Sequence, residues 1–129
     1  MSMRKEYINV ADKWGIVICF DYNVVFDNDE LWSIMRSFGM SQDDADEALR
    51  VLSHPNTGLC ISNDGINMSV IFISNATSES EWWNTALHEL RHAAQAILDY
   101  YKADFGEDDA YLTGFLTKQL VELAGEPCY

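Results

Sequence analysis

The spacing of hydrophobic positions changes along the chain, and each change marks a new element. From Trp14 to Tyr22 the run WGIVICFDY is β-branched and aromatic, which predicts a buried strand. Asp27 or Asn28 can cap a helix carrying Leu31, Ile34, Met35 and Phe38, with Gly39 as its stop. Ser41 opens a second helix, SQDDADEALRVLSH, whose acids crowd the first turn, where the helix dipole favours them; Pro55 follows its end. In TGLCISNDGINMSVIFISN two β-prone runs flank Asn63-Asp64-Gly65, the signature of a hairpin. Ser78 and Glu81 form a Ser-x-x-Glu capping box ahead of a long helix from about Glu79 to Lys102. Its apolar residues, among them Ala86, Leu90, Ala94, Ile97 and Tyr101, recur at three- and four-residue steps. Gly106 breaks it. A last helix runs from about Glu107 to Ala124 with Leu112, Phe115, Leu116, Leu120 and Leu123 as its stripe. The order of strand, two helices, hairpin and two helices predicts an α+β fold, a small β-sheet packed on helices. No Gly/Ser/Pro-rich linker or repeat divides the 129 residues, so 1–129 is expected to be a single domain.

Composition narrows the partners. Hydrophobic residues make up 48% of the chain and there are only two prolines, which argues against disorder. Eight Lys and Arg against 21 Asp and Glu leave a formal net charge of −13. That balance opposes nucleic acid, whose affinity comes from cationic side chains on phosphates, and it opposes anionic lipid. It permits metal ions and basic protein partners. Cys19 and Cys60 sit in apolar runs and read as small buried hydrophobes, Cys128 lies in the tail, and no spacing resembles a CxxC pair. The expectation is a chain without a disulfide framework. No apolar run follows Arg4 and Lys5, and the longest apolar stretches fall far short of the ~20 residues that span a bilayer. A cytoplasmic location is expected; the oligomeric state is not legible.

One motif carries chemistry. The long helix contains His88-Glu89-Leu90-Arg91-His92, an HExxH sequence. Residues i and i+4 share a helical face, so the two imidazoles can converge on one tetrahedral ion. Glu89 projects from the adjacent edge, where it can accept a proton from a metal-activated water. A catalytic zinc takes a third protein ligand, and the extended HExxHxxGxxH pattern is absent, since position 95 is Gln and position 98 is Leu. The start of the next helix, Gly106-Glu107-Asp108-Asp109-Ala110-Tyr111-Leu112, is the natural donor, because an antiparallel helix after a short turn returns beside the first.

HELRHAAQAILDYY followed by EDDAYLTGFL resembles the zincin metallopeptidases, and among them the gluzincins, in which a Glu on the helix after HExxH completes a His2Glu site. More narrowly it is similar to small single-domain phage or prophage proteins carrying HExxH…ExxAYLxGxL. The likeness covers about Ala86 to Lys118, a quarter of the chain. It implies a zincin-like fold, Zn2+ as cofactor, His88, His92 and Glu107 as ligands, and Glu89 as the general base. The three consecutive acids leave Asp108 open as the ligand, and Asp104 and Asp99 are further candidates.

Other residues are weighed the same way. Tyr111, one turn after Glu107, reads as a core aromatic or as a catalytic donor to an oxyanion. Arg91 suits a salt bridge with the acid run. Trp82 and Trp83 suit packing, and His54 beside Pro55 suits a helix end. Asp43, Asp44, Asp46 and Glu47 suit a solvated helix face and lack calcium-loop spacing. Ser69 to Ser74, just before the HExxH helix, is the strand expected to receive an extended peptide by strand addition.

Two functions compete. The first is a zinc metallopeptidase acting on a peptide or protein substrate. The second is a non-enzymatic acidic interaction or inhibitor protein of phage type, which uses its charge to hold a basic partner on a zincin scaffold and would act in the host cytoplasm.

Overall fold

The computed structural model describes residues 3–102 and 107–125, with the side chain of Glu107 excluded. The fold is α+β, a four-stranded mixed sheet between two pairs of helices. The first strand, β1 (Arg4–Val10), was not expected from the sequence. Its residues alternate, but only Ile8 is buried, and Arg4, Lys5 and Glu6 dominate its start. Charges of this kind suit an edge strand. The turn that pairs it with β2 (Trp14–Phe20) uses Ala11 and Asp12, both at positive φ (52° and 58°), closed by the Lys13 amide donating to the Val10 carbonyl at 2.9 Å. Those dihedrals are the ones a tight hairpin requires. Ala-Asp is a poor sequence signal for them.

The predicted helices follow. The first is α1 (Asn28–Ser37). The second, α2 (Gln42–Leu52), begins at Ser41, whose Oγ accepts the Asp44 amide at 3.1 Å. The hairpin is β3 (Gly58–Asn63) and β4 (Met68–Ile73), with the Gly65 amide donating to Asn63 Oδ1 at 2.9 Å in the turn. Then come α3 (Glu79–Tyr100), capped by Ser78 Oγ, and α4 (Glu107–Ala124).

The strand order is β1-β2-β4-β3. β2 runs parallel to β4, and the other pairs are antiparallel. The centre is therefore buried on both faces, which explains the unbroken apolar runs WGIVICF and VIFI. Ile16, Ile18 and Phe20 face α3 and α4, where Trp82, Ala86, Leu90, Ala94, Leu116 and Leu120 complete one core. Cys19, Val70 and Phe72 face α1 and α2, meeting Leu31, Met35, Leu49 and Leu52 in a second core. Trp82 is fully buried, with its ring edge-on to Phe20 at 5.5 Å and to Trp83 at 4.9 Å, so both tryptophans pack as expected.

The sheet order corrects one expectation. Ser69 to Ser74 lies in and just beyond β4, an inner strand already paired on both sides, so its backbone cannot receive a peptide. β3 is the outer strand on that side, and its backbone carries the open edge. Among the described residues no helix is long and apolar enough to cross a membrane.

Candidate metal centre

HExxH occupies the middle of α3, where the helix lies across β3 and β4. The apolar stripe of Ala86, Leu90, Ala93 and Ala94 is held against the sheet, which turns His88 and His92 to the open side. Their Nε2 atoms stand 3.2 Å apart, with ring centroids at 4.8 Å and planes at 83°. Two nitrogens bound at the usual zinc distance and at a tetrahedral angle would be separated by about 3.3 Å. The pair thus has the spacing of one edge of a zinc tetrahedron. The same separation suits a hydrogen bond between the rings, with the tautomer setting which nitrogen donates. By chemistry and spacing the donor set also fits a metal.

Glu89 takes a different position. It is only 7% exposed and lies on the side of α3 that meets β3. Burial pushes its carboxyl above the usual range, opposed by the neighbouring His88 and His92. Gly58, the first residue of β3, makes room for it. A Cβ at position 58 would stand 2.7 Å from Thr85 Cγ2, 2.9 Å from Glu89 Cγ and 3.0 Å from Glu89 Oε2. The carboxylate is therefore wedged against strand backbone. A donor atom from each of His88, Glu89 and His92 lies within 4.8 Å of the others, a group that could hold a metal ion. Cys60 is close by on the same strand, but burial and the Glu89 charge push its thiol up to about 12. It does not belong to the group formed by His88, Glu89 and His92.

The acids expected to supply a third ligand behave differently from one another. Asp109 is 9% exposed and is taken up by the interface between α3 and α4: Arg91 Nη2 meets its Oδ2 at 2.5 Å, and Thr113 Oγ1 donates to its Oδ1 at 3.2 Å. This is the salt bridge expected of Arg91. Asp108 is exposed on α4, and Asp99 borders a separate cavity with Trp14, Ser62 and Tyr100. Neither belongs to the group formed by His88, Glu89 and His92. Asp104 and the side chain of Glu107 lie outside the described residues, as does Cys128.

Tyr111 is not a core aromatic. It is 74% exposed, because the buried stripe of α4 runs through Asp109, Leu116, Leu120 and Ala124, and position 111 falls opposite. His54 is exposed at the end of α2, and Asp43, Asp44, Asp46 and Glu47 form the solvated face expected of them.

Two hollows lie away from this chemistry. One of about 360 Å3 sits at the carboxyl ends of β2 and β4 between Tyr22, His54 and Asn75, and another borders the β1–β2 turn. His88 and His92 are exposed, and neither lines these two hollows. Sequence reasoning missed Gly58 because a lone glycine at a strand start carries no local signal. Comparison of the chain with protein-family models, with curated proteins and with solved structures finds no match.

Proposed function

We propose that the protein is a zinc-dependent metallopeptidase-like hydrolase of peptide bonds. The observation that carries this reading is the pair of Nε2 atoms at 3.2 Å with the buried Glu89 carboxylate in the same group. His88 and His92 hold the ion, and Glu107 is the proposed third ligand. Bound zinc supplies a Lewis acid and lowers the pKa of water to ~7. Glu89, raised in basicity by burial and fixed against Gly58, accepts the proton of the attacking water and passes it to the leaving amine. β3, the open edge beside α3, is the strand to which an extended peptide adds through main-chain hydrogen bonds. Tyr111, exposed on α4, is the proposed donor to the developing oxyanion.

Metal content and turnover test this reading together. Wild type should bind one zinc per chain, and His88→Ala should lose it. Glu89→Gln should keep the zinc and lose hydrolysis of peptide substrates, by roughly 100-fold or more. Equal, near-zero zinc in wild type and His88→Ala would refute the metal site.

A second reading has its own observation, the net charge of −13 with Asp43, Asp44, Asp46 and Glu47 exposed along α2. An acidic interaction protein would hold a basic partner through that face, and Glu89→Gln would leave its function unchanged.

A further inference from the structure

The edge that borders the metal-ligand group also borders a groove on its other side. Side chains on a strand alternate between faces. On β3, Gly58 lies under Thr85 and Glu89, Cys60 packs with the core on the α3 side, and Ser62 Oγ meets Ser69 Oγ at 2.6 Å. Leu59 and Ile61 turn the opposite way, into the core shared with α1 and α2. On that opposite side an open groove of about 260 Å3 runs between β3 and α2. Met40, Ala48, Val51 and Leu59 make its apolar lining, while Asp44 and Glu47 add carboxylates. Gly58 belongs to both places, since it lines the groove and also touches Glu89.

We propose that this groove is a specificity subsite for one long cationic side chain, lysine or arginine, of a peptide extended along β3. The proposal rests on the peptide-hydrolase reading and names its substrate class. A peptide paired with β3 presents alternate residues to alternate faces. A residue on the α3 side meets His88, His92 and Glu89, and its chain neighbour meets the groove. At about 260 Å3 the groove is smaller than the roughly 300–1,000 Å3 of small-molecule sites, so it suits one side chain. An apolar lining beside carboxylates matches an aliphatic stem that ends in a charge. Glu47 is ion-paired with Arg50, whereas Asp44 makes no ion pair among the described residues and supplies the free charge. The net charge of −13 works in the same direction, repelling acidic peptides and attracting basic ones.

The test uses labelled extended peptides that differ at one position, with Lys, Arg, norleucine or Glu there among small neutral residues. Binding is measured by fluorescence anisotropy to the zinc-supplemented Glu89→Gln protein, and cleavage by wild type is followed by mass spectrometry. Lys and Arg peptides should bind about fivefold tighter than the norleucine peptide at low salt. The advantage should vanish when Asp44→Asn and Glu47→Gln are added, with norleucine binding unchanged, and Asp44→Lys should turn the preference toward Glu. Equal binding of all four peptides, binding of none, or a Lys preference that survives Asp44→Lys overturns the subsite. Cleavage without any charge preference removes the subsite and keeps the hydrolase. A charge preference in binding without cleavage keeps the groove and removes the hydrolase.

Discussion

A side chain at position 58 would fill space that Thr85 and Glu89 already occupy. Gly58→Ala brings a methyl group within 2.9 Å of Glu89 Cγ, a contact that one of the two must relieve by moving. Overpacking of this kind costs about 1–3 kcal/mol, so the urea midpoint should fall by a corresponding amount. His88 and His92 are exposed, and the atoms that a Cβ at position 58 would meet belong to Thr85 and Glu89, so zinc affinity should survive the substitution. If the proposed hydrolase reading holds, turnover should fall with it, because Glu89 is displaced while His88 and His92 are not. Loss of zinc binding together with stability would count against this division of labour. The grouping of His88, Glu89 and His92 could be read from the sequence, since residues 88, 89 and 92 are neighbours on one helix. Tyr111 could not be placed that way. Its stripe offered either face of α4, and only the packing of Leu116 and Leu120 against α3 and the sheet put it in solvent.

Between elements, α3 and α4 are joined by an apolar seam and, among the described residues, by the ion pair of Arg91 with Asp109. Asp109 is nearly buried and Arg91 is half exposed, so breaking the pair costs less than breaking a fully buried one and more than breaking a surface one. Asp109→Ala removes the pair and the bond from Thr113, and should cost about 1–2 kcal/mol. Hydrogen exchange offers the sharper measurement. Amides in the first turns of α4 should exchange faster in the variant, while those of α3 facing the sheet should not. Uniform acceleration in both helices would mean that the contact supports the whole fold instead of docking α4. At this scale the helices could be read from their caps and periodicity, and the hairpin from its turn. β1 could not, because one buried residue in seven and an Ala-Asp turn look like polar coil. Nor could the strand order. The apolar run of β4 resembled the edge strand beside HExxH, and its parallel pairing with β2 puts it inside.

For the whole molecule the charge of −13 acts as self-repulsion in the compact state. Salt screens that repulsion, with a Debye length of ~30 Å at 0.01 M falling to ~8 Å at 0.15 M. The melting temperature of the metal-free protein should therefore rise over that range of sodium chloride. A fall would mean that local ion pairs such as Lys5 with Glu30 outweigh the net charge. What the sequence determined alone was local: helix caps, the periodicity of α1 to α4, and the meeting of His88 and His92, separated by one turn of the same helix. Helix geometry alone brings such neighbours together. The tertiary structure decided which strand stands open, that Glu89 is buried against Gly58, and that Asp109 serves Arg91. Those contacts join residues 18 and more positions apart, and their meeting depends on strand order, register and helix docking, which no short window of the sequence encodes.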